Sequence, residues 1–252
     1  MRAVYIATVA ALLSASPVWA QTAEDEKRWL VKAELGAVST SGNTEGTTVN
    51  GKITAKQRLE RWHNEYIASV LYRKDEVLLQ NGLREKQTTA EKYYVSAKSA
   101  YQLTDEYGNL FVFGSHTQDE FGSYHKYTTA SAGYGLRIID RETVTLDAEI
   151  GPGYYWGDRV LADDLIAKEE GAMLRAAMDF SWIMTETATF NQSLGVEAAE
   201  DNTRYQSDTS VSVAINDRLQ MKVGYSMARD TEVAPDKKNT DTTTYINLVY
   251  NF

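Results

Sequence analysis

From Trp29 to the last residue, apolar and polar positions alternate with a period close to two, the mark of strands with one apolar face. Trp29, Val31, Ala33, Leu35 and Ala37 share a face, with Lys32 and Glu34 opposite. Val49, Ile53 and Ala55 oppose Asn50, Lys52, Thr54, Lys56 and Arg58; Trp62, Tyr66, Val70 and Tyr72 oppose His63, Glu65 and Arg73. Tyr93, Val95 and Tyr101 oppose Ser96 and Lys98. The same rule sorts Ala130–Ile138, Val144–Trp156, Leu174–Trp182, Phe190–Glu197, Ser210–Ile215, Leu219–Met227 and the final strand. Asn109 to Thr117 is apolar on both faces, so the pattern alone does not orient it. The count is about twelve strands, an even number as single-chain bacterial barrels require.

Connections alternate in length. Leu59–Trp62, Thr104–Tyr107, Asp140–Glu142, Thr185–Thr187 and Asn216–Asp217 read as tight turns. Between them stand longer polar segments: Lys74–Lys92, Gln118–Lys126, Gly157–Glu170, Ala199–Gln206 and Asp230–Asp241. Only Thr40–Thr44 is short on that side. Short turns at one end and long loops at the other predict an all-β, antiparallel, up-and-down transmembrane barrel with periplasmic turns and extracellular loops.

A soluble barrel would show the same alternation with its apolar face inside. Aromatic placement decides between the two. Trp29, Trp62, Tyr101, Trp182, Phe190, Tyr250 and Phe252 fall towards one rim of the apolar face; Tyr72, Tyr93, Tyr154, Trp156 and Tyr225 fall towards the other. Two girdles are expected where amphipathic rings meet both interfaces of a bilayer. The polar face then lines the lumen. It carries Lys32, Glu34, Lys52, Lys56, Arg58, Glu65, Arg73, Lys98, Arg137, Asp147, Glu149, Arg175, Asp179, Glu197 and Lys222. The closing strand ends Ile246, Leu248, Tyr250, Phe252 on the lipid face, which resembles the assembly signal of bacterial outer-membrane proteins. It is expected to pair with the first strand near Trp29 to Ala37.

Composition agrees. Mean hydropathy is −0.42, which a lumen-and-lipid alternation explains without a soluble fold. There is no cysteine, so the exported chain has no disulfide. The net charge of −9 argues against nucleic acid as a partner. At the N-terminus Arg2, an apolar run and Val18-Trp19-Ala20 read as a signal peptide over residues 1–20. Residues 21–28 would be a short periplasmic segment and residues 29–252 the barrel.

Glu34-Leu-Gly36 followed by Thr40-Ser-Gly-Asn-Thr44, Gly114 through Asp119-Glu-Phe121, and Ala132-Gly-Tyr-Gly-Leu136 with Gly151-Pro-Gly-Tyr-Tyr155 form a recognisable set. Together they resemble the salt-induced outer membrane protein family, a domain family without assigned function. The resemblance covers essentially the whole mature chain; its most specific piece is the Thr-Ser-Gly-Asn-Thr hairpin. It implies an outer-membrane barrel of a Gram-negative bacterium with a connection to salt, and it supplies no catalytic residues.

Chemistry is sparse. Ser123 and His125, with Asp119 or Glu120 as orienter, are the one nearby set that could make a rim-located lipid hydrolase. Loop histidines are usually solvated, so we expect no enzyme and no catalytic residues. Asp158, Asp163, Asp164, Glu169 and Glu170 make one loop acidic, which a solvated charge run explains better than a metal site. No cofactor or metal is expected. Outer-membrane lipid, lipopolysaccharide and the outer-membrane assembly machinery are the expected partners. The lumen charges admit two readings: a paired network that fills and stiffens the barrel, or a narrow pore with a slight cationic excess that favours anions. The first is favoured because so small a barrel has little spare cross-section.

Overall fold

A computed structural model of the chain describes residues 29–40, 46–78, 84–103, 107–161, 165–234 and 237–252. Asp163, Asp164, the signal segment and most of the Thr40–Thr44 hairpin lie outside the described residues. Twelve strands follow one another: β1 (Trp29–Thr40), β2 (Gly46–Arg58), β3 (Trp62–Leu78), β4 (Arg84–Gln102), β5 (Gly108–Asp119) and β6 (Tyr124–Asp140); then β7 (Val144–Val160), β8 (Ile166–Ile183), β9 (Ala188–Ala199), β10 (Thr203–Ala214), β11 (Leu219–Asp230) and β12 (Thr240–Asn251). Each pairs antiparallel with its sequence neighbours, and β12 returns to β1, closing an up-and-down barrel.

Closure gives every strand a paired neighbour on both sides, the condition for strands to stand in lipid. The burial pattern follows. Leu35, Ile53, Val95, Val112, Ile150 and Leu248 stay exposed on the outside, where a bilayer would cover them. The rings sit together at the rims: Trp62 and Tyr101 at 5.1 Å, Tyr250 and Phe252 at 4.8 Å, Tyr154 and Trp156 at 5.0 Å.

Tight turns rest on local chemistry. The Asn216 side chain accepts the Arg218 and Leu219 N–H groups at 3.0 and 2.9 Å. The Thr185 hydroxyl accepts those of Thr187 and Ala188. Such side chains tolerate and satisfy the backbone of a reversal.

The polar segments on the opposite side are paired for much of their length. β3 runs on to Leu78 and β4 starts at Arg84, with Thr89 donating to Asp75 at 2.7 Å and Arg84 beside Glu76 at 3.2 Å. Both faces of such an extension can be polar, so the period-two contrast vanishes while strand pairing continues. Between the strand ends on this side, the longest connection runs from β11 to β12, residues 231–239, of which 231–234 and 237–239 are described.

β5 also resolves. Leu110 and Val112 point outward, whereas Phe111 and Phe113 point inward, where Phe111 is buried. On β6 and β7, Gly133 and Gly151 let two backbones approach closely; a Cβ at Gly133 would lie 2.6 Å from the Gly151 Cα.

Candidate functional site: the lumen and its closed mouth

The charges assigned to the polar face belong to strands whose register sets them inside the barrel. Near the short-turn end, Arg137 pairs with Asp147 at 2.8 Å and Lys56 with Glu65 at 3.0 Å. Lys56, Asp147 and Arg137 are exposed by 56%, 44% and 39%, so this end of the interior is open to water.

Deeper in, exposure falls and the pairs reach past their neighbours. Lys98 on β4 meets Glu149 on β7 at 3.0 Å, and Arg175 on β8 holds the other oxygen of the same carboxylate. The Arg175 guanidinium lies 4.0 Å from the Phe113 ring centroid. Lys222 on β11 reaches Glu34 on β1 at 3.2 Å, and Asn247 donates to the same carboxylate. Glu34 and Glu149 are only 9% and 11% exposed, so each removes a charge from water and meets a cation there. Charges in such surroundings are stable chiefly when paired.

The loop end is filled. Tyr124, Tyr127, Tyr155 and Met173 form a buried cluster, with Tyr127 stacked on Tyr155 at 5.7 Å. Arg204 lies over Tyr127 at 4.6 Å and beside Asp230 at 3.7 Å, buried to 7%. Tyr245 donates to the Asp208 carboxylate at 2.8 Å. Above this layer, Asn202 accepts from the Thr231 and Glu232 backbone and donates to Asp230. Lys237, in the β11–β12 loop, donates to the carbonyls of Phe121 and Gly122 in the β5–β6 loop at 3.2 and 2.9 Å. Those loops stand six strands apart in a ring of twelve, so the bond spans the mouth.

Residues 33–252 match the family described as "Protein of unknown function, DUF481". The chain belongs to that family. A relative, the uncharacterized protein YdiY of Escherichia coli strain K12, is 28% identical over 219 residues, covering 86% of this chain and 80% of its own length. Among solved structures, the NanC porin aligns with a TM-score of 0.50 at 9% identity, over 88% of this chain and 98% of that one. The translocator domain of autotransporter NalP from Neisseria meningitidis aligns at 0.46 and 15%, over 89% and 88%. At such identities the likeness to the NanC porin is one of fold: this DUF481 chain has the architecture of outer-membrane barrels.

Of the rim set read from the sequence, the structure joins the histidine to one of its two candidate orienters and engages the others elsewhere. His125 pairs with Glu120 at 3.4 Å, while Asp119 pairs with Lys92 and caps the Phe121 N–H. Ser123 is buried and its carbonyl accepts from Val160. His116 points to the outer face, bonded to Thr128 at 2.8 Å. His63 lies opposite Arg58. Of the acidic loop, Glu169 joins Arg159 at 3.2 Å and accepts from Tyr124. No group of residues able to hold a metal ion occurs among the described residues. Reading the sequence missed Arg159, Glu169, Arg204 and Asp230 as lumen charges, because they fall in segments read as loops. A strand-period count continued through Thr203–Asp208 could have found Arg204.

Proposed function

We propose that this protein is a non-enzymatic outer-membrane barrel with a structural or adaptive role in the Gram-negative envelope. The observation that carries this reading is the closed mouth: a buried tyrosine cluster beneath loops that bond across the opening. The paired charges deeper in the lumen support it, since they fill space that a solute would need. Export would follow from the signal segment at residues 1–20, and insertion would use the assembly machinery and a surround of lipid and lipopolysaccharide. The link to salt or osmotic conditions comes from the family resemblance; growth of a deletion strain across a salt series tests it.

Planar-bilayer recording tests the sealed barrel. Purified protein should give no discrete steps at high load; discrete steps from the wild type would overturn the reading. The non-enzymatic part is tested by incubation with phospholipid or lipid A and mass spectrometry. Release of a product by the wild type but not by His125→Ala would reverse it.

A second reading, a narrow and weakly anion-favouring channel, is favoured by Lys32, Lys52 and Arg58. Among the described residues these lumen cations have no carboxylate in ion-pair contact. Steps that shrink when a bulky residue replaces Lys52 would support it.

A further inference from the structure

Arg58, Lys56 and Lys52 of β2 share the lumen face with Glu34, which Lys52 opposes in the β1–β2 ladder. Between Lys56 and Lys52 that face carries Thr54, and Lys32 of β1 stands opposite it. Cations therefore occupy four successive levels of one wall, from the rim at Arg58 inward. Levels are two residues apart, so the stripe runs about 20 Å along β2. Its outer part lies in the end of the lumen that is open to water, where Lys56 is 56% exposed. Its inner end adjoins the Lys222–Glu34 pair.

Two carboxylates serve this wall: Glu65 holds Lys56 and Glu34 holds Lys222. Among the described residues, Arg58, Lys32 and Lys52 have no carboxylate in ion-pair contact. Lys32 has Lys56 and Lys222 as well as Glu34 among its charged neighbours. Further carboxylates stand on the far wall. Asp147 on β7 and Asp179 on β8 oppose each other in their ladder, six strands from β1 and β2 in the ring of twelve. Like charges at neighbouring levels repel. The whole chain carries a net charge of −9, so the stripe is not a by-product of a basic composition.

We propose that this stripe is a binding site for a small linear phosphate polyanion that enters from the short-turn end. Three of its four cations are lysines. An ammonium is a point charge with rotatable donors and suits phosphate oxygens, whereas planar carboxylates are matched best by the arginine fork. A single phosphate meets one level of the stripe; a chain of phosphates meets several. The carboxylates of the far wall keep such a chain against β1 and β2. The tyrosine cluster closes the other end, so the site is a dead end and not a passage. The proposal goes beyond a structural barrel, and only the side of entry rests on the sealed-barrel reading.

The test titrates the full mature protein, folded in detergent, with sodium tripolyphosphate by isothermal calorimetry. Low ionic strength keeps the exposed charges unscreened. Inorganic phosphate and tetra-aspartate are the comparison probes. The chain has no cysteine, so Thr54→Cys places a single thiol in the middle of the stripe while keeping all four cations. Lys168, exposed at the loop end of β8, supplies the controls.

Tripolyphosphate should bind at one site per chain, more tightly than inorganic phosphate or tetra-aspartate. Lys32→Gln and Lys52→Gln should each weaken it by about tenfold, the loss of one charge-assisted contact. Lys168→Gln should leave the affinity unchanged. Tripolyphosphate should slow alkylation of the Thr54→Cys thiol by iodoacetamide and should not slow that of the Lys168→Cys thiol. Equal weakening by Lys168→Gln, an unprotected thiol at Thr54→Cys, or equal affinity for tetra-aspartate overturns the proposal. Discrete conductance steps from the wild type would undo the sealed-barrel reading while leaving this comparison intact.

Discussion

Arg204 shows what a single residue contributes to the closed end. Its guanidinium is buried beside Asp230 and over the Tyr127 ring, with Glu197 opposite it in the ladder. Arg204→Ala leaves two carboxylates in that layer without their cation. Removing one partner of a buried pair costs about 3–5 kcal/mol. Urea unfolding in lipid vesicles, followed by tryptophan fluorescence, should register a loss of that size. An unchanged midpoint would mean that water already compensates Asp230. Gly133 makes the opposite kind of demand. Its missing side chain admits the Ile150 carbonyl and the Gly151 Cα, both backbone atoms that cannot rotate away. Gly133→Val should cost about 1–3 kcal/mol as the strands separate, read from the same unfolding curves. The sequence displayed both glycines but not their partnership, since a close approach between β6 and β7 belongs to the pairing and not to either strand.

At the scale of elements, the final strand joins assembly to closure. The Phe252 N–H donates to the Val31 carbonyl at 2.9 Å and its ring packs on Tyr250. Deleting Phe252 removes a seam hydrogen bond where only four positions pair, together with the terminal ring. The expected result is slower or reduced appearance of the heat-modifiable folded band in outer-membrane fractions. Normal assembly would separate the terminal residue from any signalling role. The strands were legible where lipid lies on one side and lumen on the other, because that contrast forces the period of two. Beyond the bilayer both faces meet water, and β3 and β4 continue as polar strands held by Thr89 to Asp75 and Tyr72 to Thr88. No hydrophobic pattern marks such residues, so they read as loop.

For the whole molecule, the mouth is held by contacts between distant parts of the chain. Lys237 bonds to Phe121 and Gly122, and Asn202 ties the β9–β10 connection to the β11–β12 loop and to Tyr124. Combining Lys237→Ala with Asn202→Ala should loosen the loops while leaving the barrel ladders in place. The double variant should flicker in planar-bilayer recordings where the wild type stays silent. Silence with retained fold would assign the seal to the tyrosine layer alone.

The sequence by itself determined the twelve-strand barrel, the outward and inward faces, the aromatic rims and the return of the last strand to the first. All of these follow from the lipid's demand for alternation within each strand, which a linear chain displays residue by residue. The tertiary structure alone decided which charges meet. Lys98 finds Glu149 three strands away, and Lys222 finds Glu34 across the seam. It also decided that the interior is filled at the loop end and that the seam pairs over only part of its length. Those outcomes depend on the curvature that brings non-neighbouring strands face to face, and no local periodicity records it.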